Sequence, residues 1–439
     1  MNSPVRSRMP AGVRGRRLGG LPRFRLMRIL FLNNFYYVRG GSEKVMFEEM
    51  RLLREAGHRV EIFSRTHARN KSATYNKFFP PAIETQHVRF SMNSLITAQE
   101  MIYSKHARRC LREVIRSFHP DLAHAHNIYG RLSLSVLDAL REVGVPVVLT
   151  LHDLKLLCPS YLMLHKGSVC ERCKGKKFYH AVITRCHKNS YLASFVYALE
   201  SWINLFFRKY HSVHKFIVPS SFLKRKLVDY GWNESKIVHI PNLIRLDHVP
   251  LNRHDGNYLL YMGRLSPEKG VSTLLRAYEH LTNQIPLMIA GDGPERESIK
   301  QYVRDKRIPV SFCGYLTGKA LSDTIKRAKA VVVPSECYEN APLAILEAFA
   351  MGKPVIGTNI GGIPEMIEDG VNGFLFEPSN PAALAERIHR LFALPEDAII
   401  SMGVAGREKA EKQFRPERHY ELLMEVYSAA IKQPSKISG

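Results

Sequence analysis

Short apolar runs alternate with helical patterns along most of the chain. The run RILFLNN at 28–34 is followed by apolar positions spaced three and four apart from Met46 to Leu53, and then by the run RVEIFS at 59–64. A strand, a helix and a strand in this order predict a parallel pair joined by a crossover helix. The same pattern continues at 121–127, 134–143 and 146–153. The first half therefore predicts a parallel sheet that is covered on both faces.

A second series of the same kind fills the other half. Its predicted strands, NYLLYMGRL, PLMIAGDGP, PVSFCGYL, AVVVPS, PVIGT and GFLFE, begin at Asn257, Pro286, Pro309, Ala330, Pro354 and Gly373. The stretch 240–257 is rich in Asn, Asp, Pro and His and predicts a hinge. Open parallel sheets bind ligands at the carboxyl ends of their strands, so two such sheets can share one cleft. The predicted fold is α/β, with two doubly wound Rossmann-like domains facing across a cleft.

These patterns divide the chain into four parts. Residues 1–26 hold seven arginines, no acidic residue and no apolar core of a secretory signal, so we expect a basic, disordered arm. A first domain is expected at 27–245, with a cysteine-containing insertion at 154–190, and a second domain at 256–415. Residues 416–439 predict a helix that packs back on the first domain. No apolar run reaches the ~20 residues that span a bilayer.

The charge of the chain is distributed unevenly. Residues 251–439 hold 23 basic and 23 acidic side chains, so the net charge of +24 belongs to residues 1–250. This asymmetry predicts an anionic partner for the first half, namely nucleic acid, an anionic membrane surface or a phosphorylated substrate, with a solvated basic surface as the alternative.

Two apolar stretches with basic residues lie in the same half. The stretches 95–118 and 191–216 are typical of helices that lie in an anionic membrane interface, although packing against a core explains each of them taken singly. Together with the charge they favour a cytoplasmic protein attached peripherally to the inner face of a membrane.

The segment ECYENAPLAILEAFAMGKP at 336–354 predicts a short helix that begins near Pro342. The first turn of a helix leaves N–H groups unpaired, and with the helix dipole these groups form a site for phosphate. The residues expected at this phosphate-binding start are Asn340, Ala341, Leu343 and Ala344.

Glu339 and Glu347 stand on either side of that start. Eight positions on a regular helix span about 12 Å, which exceeds the ~10 Å of widely spaced glycosidase carboxylates. Glu347 can instead accept hydrogen bonds from a ribose diol, and Glu339 can reach whatever lies beyond a diphosphate. A nucleoside diphosphate sugar has this layout. An amphipathic helix with incidental acids is the alternative.

Two loops after predicted strands carry further candidates. GRLSPEKG at 263–270 places Arg264 and Lys269 where a fixed cation pair would neutralise a leaving diphosphate, although a solvated turn capped by Ser266 explains the same residues. The pair Gly40–Gly41 lets the backbone of a strand-to-helix loop approach a phosphate closely.

Three histidines, His124, His126 and His152, also lie at predicted strand ends. A histidine at such a place is most often a packed or capping residue. His152, followed by Asp153, is the best placed to point into the cleft and bind a sugar hydroxyl, ahead of His126.

Several of these motifs together resemble one family. GGSE, LTLHD, GRLSPEKG, AGDGP and the run PSECYENAPLAILEAFAMGKPVIGTNIGGIPEMIEDGVNGFLFEP are similar to the retaining, nucleotide-sugar-dependent glycosyltransferases of family 4, which have the GT-B fold. The resemblance covers nearly all of 27–427. It implies transfer of a sugar from a nucleoside diphosphate donor to a glycan or lipid-linked acceptor, in bacterial cell-surface polysaccharide synthesis. The turn IPNLIRLD matches the family at Asn242 but lacks its glycine.

The resemblance also implies roles for individual residues. It assigns Glu339 to the donor hexose, Glu347 to the ribose, Arg264 and Lys269 to the diphosphate, Gly41 to the phosphates from the opposite domain, and His152 to the neighbourhood of the anomeric carbon. GGIPE at 361–365 resembles a loop beside the donor. Such enzymes require no cofactor or metal for the chemistry, because the two cations and the helix start replace it. The donor phosphate accepts the proton of the acceptor, so no enzymic nucleophile is expected.

Four of the seven cysteines form a cluster, C-x11-C-x2-C-x12-C, at Cys158, Cys170, Cys173 and Cys186. Without a signal peptide the expected compartment is reducing, which favours a metal site over disulfides. We expect a structural zinc held by four thiolates, with free thiols or an iron–sulfur cluster as alternatives. The position directly after His152 and Asp153 makes the cluster a hypothetical lid or acceptor-binding loop.

Two other functions fit parts of the pattern. A sugar-nucleotide epimerase has the same fold, but it lacks an acceptor site and a basic membrane-facing lobe. A basic nucleic-acid-binding protein would account for the first half and leave the donor motifs of the second half unexplained, so nucleic acid is not expected as a partner.

Overall fold

The computed structural model describes residues 24–83, 92–246 and 256–432. The predicted basic arm lies outside this part except for 24–26, and so does the section 247–255 of the predicted hinge. Among the described helices, none is long and apolar enough to cross a membrane.

The first domain is built on one parallel sheet. Its strands are β1 (Arg28–Leu32), β2 (Arg59–Phe63), β3 (Leu122–Ala125), β4 (Val147–Thr150), β7 (Lys215–Val218) and β8 (Ile237–His239), and the hairpin β5 (Leu164–His165) and β6 (Ser168–Val169) lies in the cysteine insertion. The order across the sheet is β2-β1-β3-β4-β7-β8, with every neighbouring pair parallel. The helices are α1 (Gly41–Glu55), α2 (Met92–Ile102), α3 (Lys105–Phe118), α4 (Ser135–Val143), α5 (Tyr179–Ile183), α6 (Tyr191–Phe206) and α7 (Ser221–Asp229).

The second domain repeats this architecture. Its strands are β9 (Leu259–Met262), β10 (Leu287–Ala290), β11 (Val310–Gly314), β12 (Ala330–Val333), β13 (Val355–Thr358) and β14 (Gly373–Phe376), and they run parallel in the order β11-β10-β9-β12-β13-β14. The helices are α8 (Val271–Tyr278), α9 (Arg296–Lys306), α10 (Gly318–Arg327), α11 (Leu343–Ala350), α12 (Ile363–Met366), α13 (Pro381–Phe392), α14 (Glu396–Gln413) and α15 (Pro416–Lys432).

The central strands are buried and largely apolar because helices cover both faces of each sheet. All residues of LAHA in β3, VVLT in β4, LLYM in β9 and AVVV in β12 are buried. Side chains on both faces of such a strand leave water, so its sequence shows no alternation of polar and apolar residues. The predicted α/β class with two doubly wound domains is confirmed.

Each sheet has one point where the chain order reverses, between β1 and β3 and between β9 and β12. At such a point two neighbouring loops diverge to opposite faces and leave a crevice for a ligand. The loops that leave these four strands carry Gly40–Gly41, His126, Arg264 and Ser335. The predicted site motifs thus sit at the two places where the topology opens a crevice.

Two predicted helical stretches differ in the structure. The stretch 95–118 is divided between α2 and α3, because Ser104 leaves the helical conformation and its hydroxyl accepts a hydrogen bond from the Ala107 N–H at the start of α3. The stretch 191–216 is helical only to Phe206, and its last residues form the start of β7. The periodicity of apolar residues does not reveal either boundary.

The last helix returns to the first domain. After α14 the backbone N–H of Ile244 donates to the Phe414 carbonyl, and α15 then packs against α1 and β4. The Tyr427 hydroxyl is hydrogen-bonded to His124 Nδ1 at 2.7 Å, and the Tyr420 hydroxyl to His58 Nε2 at 3.0 Å. Two buried phenols thus attach the end of the chain to the core of the first domain.

We expect Tyr427→Phe to destabilise the protein, because His124 Nδ1 would remain buried without a partner. The free energy of unfolding should fall by about 1–3 kcal/mol, measured by urea denaturation. Tyr315→Phe is the matched control, since Tyr315 is 60% exposed, and it should change stability by less than about 0.5 kcal/mol. Equal effects of the two variants would contradict the role of this hydrogen bond.

Candidate functional site

The two crevices face one another, and their loops touch. A Cβ atom built on Gly41 would lie 3.5 Å from Leu343 Cδ1, so the start of α1 in the first domain abuts the start of α11 in the second. Gly40 precedes α1 and its N–H donates to Glu43 Oε2 at 3.1 Å. The Gly40–Gly41 loop and the α11 start therefore form two walls of one cleft.

The start of α11 differs from the predicted one. The helix runs from Leu343, and Pro342 precedes it in an extended conformation. Asn340 does not cap the helix, because its amide accepts a hydrogen bond from Ser220 Oγ and donates to the Leu151 carbonyl at 3.1 Å. The N–H groups of Leu343 and Ala344 lie in the first turn, where a helix offers them no internal partner.

Ala341 and the GGIPE loop fix this segment from both sides. Asn242 Nδ2 of the first domain donates to the Ala341 carbonyl at 3.1 Å. Gly362 N–H donates to the Glu339 carbonyl at 2.7 Å. A Cβ atom on Gly362 would come within 1.9 Å of the backbone carbonyl oxygen of Asn340. The close approach of the two backbones requires glycine at that position.

Glu347 meets a partner that the sequence analysis missed. Lys44 Nζ in α1 lies 2.8 Å from Glu347 Oε1, and both side chains are partly exposed to the cleft. The pair joins the two domains directly beside Gly41 and Leu343. No local sequence signal marks Lys44, although it follows the GGSE motif immediately.

Glu339 is paired with Lys269. Lys269 Nζ lies 2.5 Å from Glu339 Oε1, and Ser335 Oγ donates to the same oxygen at 2.7 Å. Burial alone would raise the pKa of Glu339, but Lys269 and Ser335 outweigh it and hold this pKa below its ordinary value. Burial likewise works against the charge of Lys269, yet Glu339 raises its pKa. Both groups are therefore charged.

Arg264 is exposed in the cleft loop after β9, close to residues of the cysteine insertion. Burial raises the pKa of the Tyr161 hydroxyl, Asp153 raises it further, and Arg264 and Arg39 oppose them. Tyr161 therefore stands among charges of both domains. Neither Tyr161 nor Arg39 was a sequence candidate.

His152 belongs to a chain of buried polar groups. His152 Nε2 lies 2.8 Å from His126 Nδ1, His126 Nε2 lies 3.4 Å from Glu49 Oε2, and Glu49 Oε1 lies 3.0 Å from His419 Nε2. Burial would raise the pKa of Glu49, but His126 and His419 hold it well below its ordinary value. Glu49 is thus a carboxylate, and its Oε2 faces His126 Nε2 at 3.4 Å without forming a hydrogen bond.

His152 is uncharged at this position. Its Nε2 and His126 Nδ1 share one hydrogen bond, in which one ring nitrogen donates and the other accepts. Burial, followed by the neighbouring His126, lowers the pKa of His152 to about 3, so the ring is neutral. The adjacent Asp153 has its pKa raised by burial to about 6, and its Oδ1 accepts from the Lys155 N–H at 2.9 Å. A neutral imidazole and a carboxyl thus lie side by side after β4.

His124 is not a ligand for substrate or metal. Among the described residues, Glu49, His124 and His126 each offer one atom that could bind a metal, and these three atoms all lie within 4.8 Å of one another. Both ring nitrogens of His124 are already hydrogen-bonded, to Tyr427 and to Thr150. The group is therefore a polar core network.

The four clustered cysteines line a single small cavity in the insertion, with a volume of about 10 Å³. All four are free thiols, and Cys158 and Cys173 are buried. Burial, followed by the neighbouring sulfurs of Cys158, Cys186 and Cys170, raises the pKa of Cys173 to about 12. No three of their sulfur atoms all lie within 4.8 Å of one another, whereas the ligand atoms of Glu49, His124 and His126 do.

Two family models match the chain, one on each domain. Residues 39–248 match "Glycosyltransferase Family 4" and residues 245–408 match "Glycosyl transferases group 1". The chain is 25% identical over 311 residues to an uncharacterized glycosyltransferase of Methanocaldococcus jannaschii, covering 71% of this chain and 76% of that one. It is 27% identical to the glycogen synthase of Mycobacterium tuberculosis over 428 residues, which cover 92% and 95% of the two chains.

The fold also has a solved counterpart. The HepE protein of Anabaena, crystallised in complex with UDP-glucose, superposes with a TM-score of 0.63 at 17% identity, covering 92% of this chain and all of that one. At this identity the likeness concerns the fold, and it agrees with the two facing domains and the crevice between them. The family models, the relatives and the architecture agree, and the chain belongs to the family 4 glycosyltransferases with the GT-B fold.

Proposed function

We propose that this glycosyltransferase moves a sugar from a nucleoside diphosphate donor to a glycan or lipid-linked acceptor, with retention of the donor's α configuration, in bacterial cell-surface polysaccharide synthesis. The observation that carries the proposal is the start of α11, flanked by Glu339 and Glu347 and facing Gly41 across the cleft. Three chemically distinct contacts follow one another there, in the order of ribose, diphosphate and hexose.

In this proposal the diphosphate lies against the N–H groups of Leu343 and Ala344, where the helix dipole favours an anion. Glu347 accepts hydrogen bonds from the ribose hydroxyls, and Glu339 from the hexose. Asn340 and Ala341 contribute by holding the segment in place. Lys44 and Lys269, which now neutralise the two glutamates, gain a second anionic partner when the donor enters.

Negative charge grows on the diphosphate as the sugar–phosphate bond breaks. Lys269 and the exposed Arg264 are the cations placed to stabilise this charge. The donor phosphate takes the proton of the acceptor hydroxyl, while the neutral His152 orients the sugar from the other wall. The transfer we propose needs no resident metal, and the cysteine cluster, proposed below as a zinc site, takes no part in it.

The relatives support a nucleotide-sugar donor. One solved counterpart holds UDP-glucose, and a relative that covers nearly the whole chain is a glycogen synthase. UDP-glucose is therefore the first donor to test, followed by other UDP-, GDP-, ADP- and TDP-sugars.

We expect Arg264→Met to lower kcat about 10²- to 10³-fold, because its charge acts on an oxyanion that develops in the transition state. The assay measures release of nucleoside diphosphate with a lipid extract as acceptor. Arg304→Met on the exposed face of α9 is the control and should retain normal turnover.

The same assay separates this function from epimerisation. Formation of a new nucleotide sugar in the absence of acceptor, with no free nucleoside diphosphate, would contradict a transferase. Near-normal turnover of Arg264→Met would contradict the proposed charge stabilisation.

We also propose that α6 attaches the protein to an anionic membrane on the cytoplasmic face. The large apolar residues of this helix are on its exposed face: Tyr191, Phe195 and Phe206 are 59%, 47% and 80% exposed, whereas the buried face holds only small or polar residues, Ala193, Ser194, Ala198, Glu200, Ser201 and Asn204. The exposed residues fall on one side of a helix with 100° per residue. Burying polar groups while exposing aromatic ones is unfavourable in water, so this face requires a cover.

Charge identifies the cover that fits best. Phe207 is 60% exposed next to Phe206 and is followed by the exposed Arg208, and Arg185 lies over the ring of Tyr191 at the other end of α6. Aromatic rings flanked by cations are suited to the boundary between anionic headgroups and acyl chains. The net positive charge of residues 1–250 acts in the same direction.

We predict that the protein cosediments with vesicles containing phosphatidylglycerol and not with pure phosphatidylcholine vesicles. The double variant Phe206→Ser and Phe207→Ser should bind at least about tenfold more weakly, because two large apolar side chains leave the interface. Tyr315→Ser, which removes an equally exposed aromatic from the second domain, is the control. Absence of vesicle binding, or a dimer in ultracentrifugation that the double variant abolishes, would contradict membrane attachment.

A further inference from the structure

The cysteine insertion is anchored in the core of the first domain only at its start, where Leu154, Leu156, Leu157 and Met163 are buried. Beyond Met163, its strands β5 and β6 have two residues each, and its buried apolar residues are Cys173, Phe178 and Ala181, which pack on Ala198 of α6. A stretch this poor in apolar contacts does not offset the entropy of ordering its backbone unless something else holds it together.

The backbone of the insertion is also strained. Seven of the twelve non-glycine residues with positive φ in the described chain lie there: Tyr161, Met163, Lys166, Lys176, Arg185, Lys188 and Asn189. Left-handed conformations are uncommon for such side chains and cost of order 1 kcal/mol or more each. Several of them in one short segment persist only if the surroundings enforce the path of the chain.

The cysteines are the groups placed to enforce it. Cys158 follows β4, Cys170 and Cys173 follow the hairpin, and Cys186 follows α5, so the cluster joins three separate turns of the insertion. Their side chains line one cavity of about 10 Å³, the space of a single small ion or water. Ser160 Oγ lies 3.2 Å from Cys158 Sγ, as a hydroxyl that can donate to a thiolate.

We propose that Cys158, Cys170, Cys173 and Cys186 bind one zinc ion, which orders the insertion. A tetrahedral site with Zn–S bonds of about 2.3 Å places its sulfurs about 3.8 Å apart, so binding draws the four side chains inward and closes the cavity. The four thiols release four protons, and the complex of Zn²⁺ with four thiolates carries two negative charges. Arg172 lines the same cavity and offsets part of this charge.

The zinc would affect the enzyme indirectly, by holding the insertion against the two walls of the cleft. Glu171, which lies between two of the ligands, accepts a hydrogen bond from Tyr338 of the second domain at 2.9 Å and binds Lys226 Nζ at 2.5 Å. Tyr338 directly precedes Glu339. The insertion also carries Tyr161 beside Arg264 and Asp153. An ordered insertion therefore supports both the donor segment and the acceptor wall, without contact between the metal and the reacting atoms.

The test is metal analysis of the full chain, purified without a polyhistidine tag. We expect about one zinc per chain. The ion should be released when four thiols are titrated with a mercurial reagent, and a zinc-binding dye detects the released ion. This measurement uses the wild-type protein, so it stays decisive even if substitutions impair folding.

Variants locate the ion. Cys173→Ser and Cys186→Ser should lose the zinc, and trypsin should then cut the lysine-rich stretch 172–177 at least about tenfold faster, because unfolding of a local segment controls cleavage. Cys313→Ser, in β11 of the second domain, should keep both the zinc and the resistance. Less than half an equivalent of zinc, bound iron with sulfide, or full zinc in Cys173→Ser would each overturn the proposal, whatever the transferase assay shows.

Discussion

The buried amide of Asn340 is the constraint on which the rest of the site depends. It joins the second domain to Ser220 and to the Leu151 carbonyl of the first, and a partner lost here would leave buried polar groups unpaired at about 1–3 kcal/mol. The residue before it is Glu339, and the helix that holds Glu347 starts three residues after it. Asn340 thus holds the donor-binding segment against the first domain, together with the Asn242–Ala341 hydrogen bond and the Lys44–Glu347 pair.

A second consequence concerns charge. Each of the two glutamates faces a lysine, Lys44 across the domains and Lys269 within the second domain. Partly exposed ion pairs contribute little stability, so these four charges are poorly explained as structural supports. They are better explained as binding groups of the cleft: the two members of each pair neutralise each other's charge in the absence of a donor, and the separation of the pairs matches the length of a nucleotide sugar. His152, kept neutral by burial and by the neighbouring His126, adds no charge to the opposite wall.

The sequence predicted the fold well because buried parallel strands have a strong local signature, as in AVVV before α11. It selected Glu339, Glu347 and Gly41 as candidates because each lies close to a strand end or a helix start, and the structure brings all three to the start of α11. Lys44 and His419 escaped prediction, since they approach Glu347 and Glu49 from positions 303 and 370 residues away. The partners of Asn340 escaped prediction for the same reason, because Ser220 and Leu151 lie 120 and 189 residues away. The ends of α2 and α6 depend on tertiary packing that periodicity does not encode.

We propose that one donor spans from Glu347 to Glu339 over the start of α11. Calorimetry tests this proposal by comparing the wild type with Glu347→Gln, using the nucleoside diphosphate that stabilises the wild type most, and Glu368→Gln on the exposed surface is the control. We expect Glu347→Gln to bind this nucleotide about 10- to 100-fold more weakly, because hydrogen bonds to a charged group are lost, and to bind inorganic pyrophosphate no more weakly than the wild type does. Unchanged affinity for the nucleoside diphosphate, or an equal loss for pyrophosphate, would contradict it.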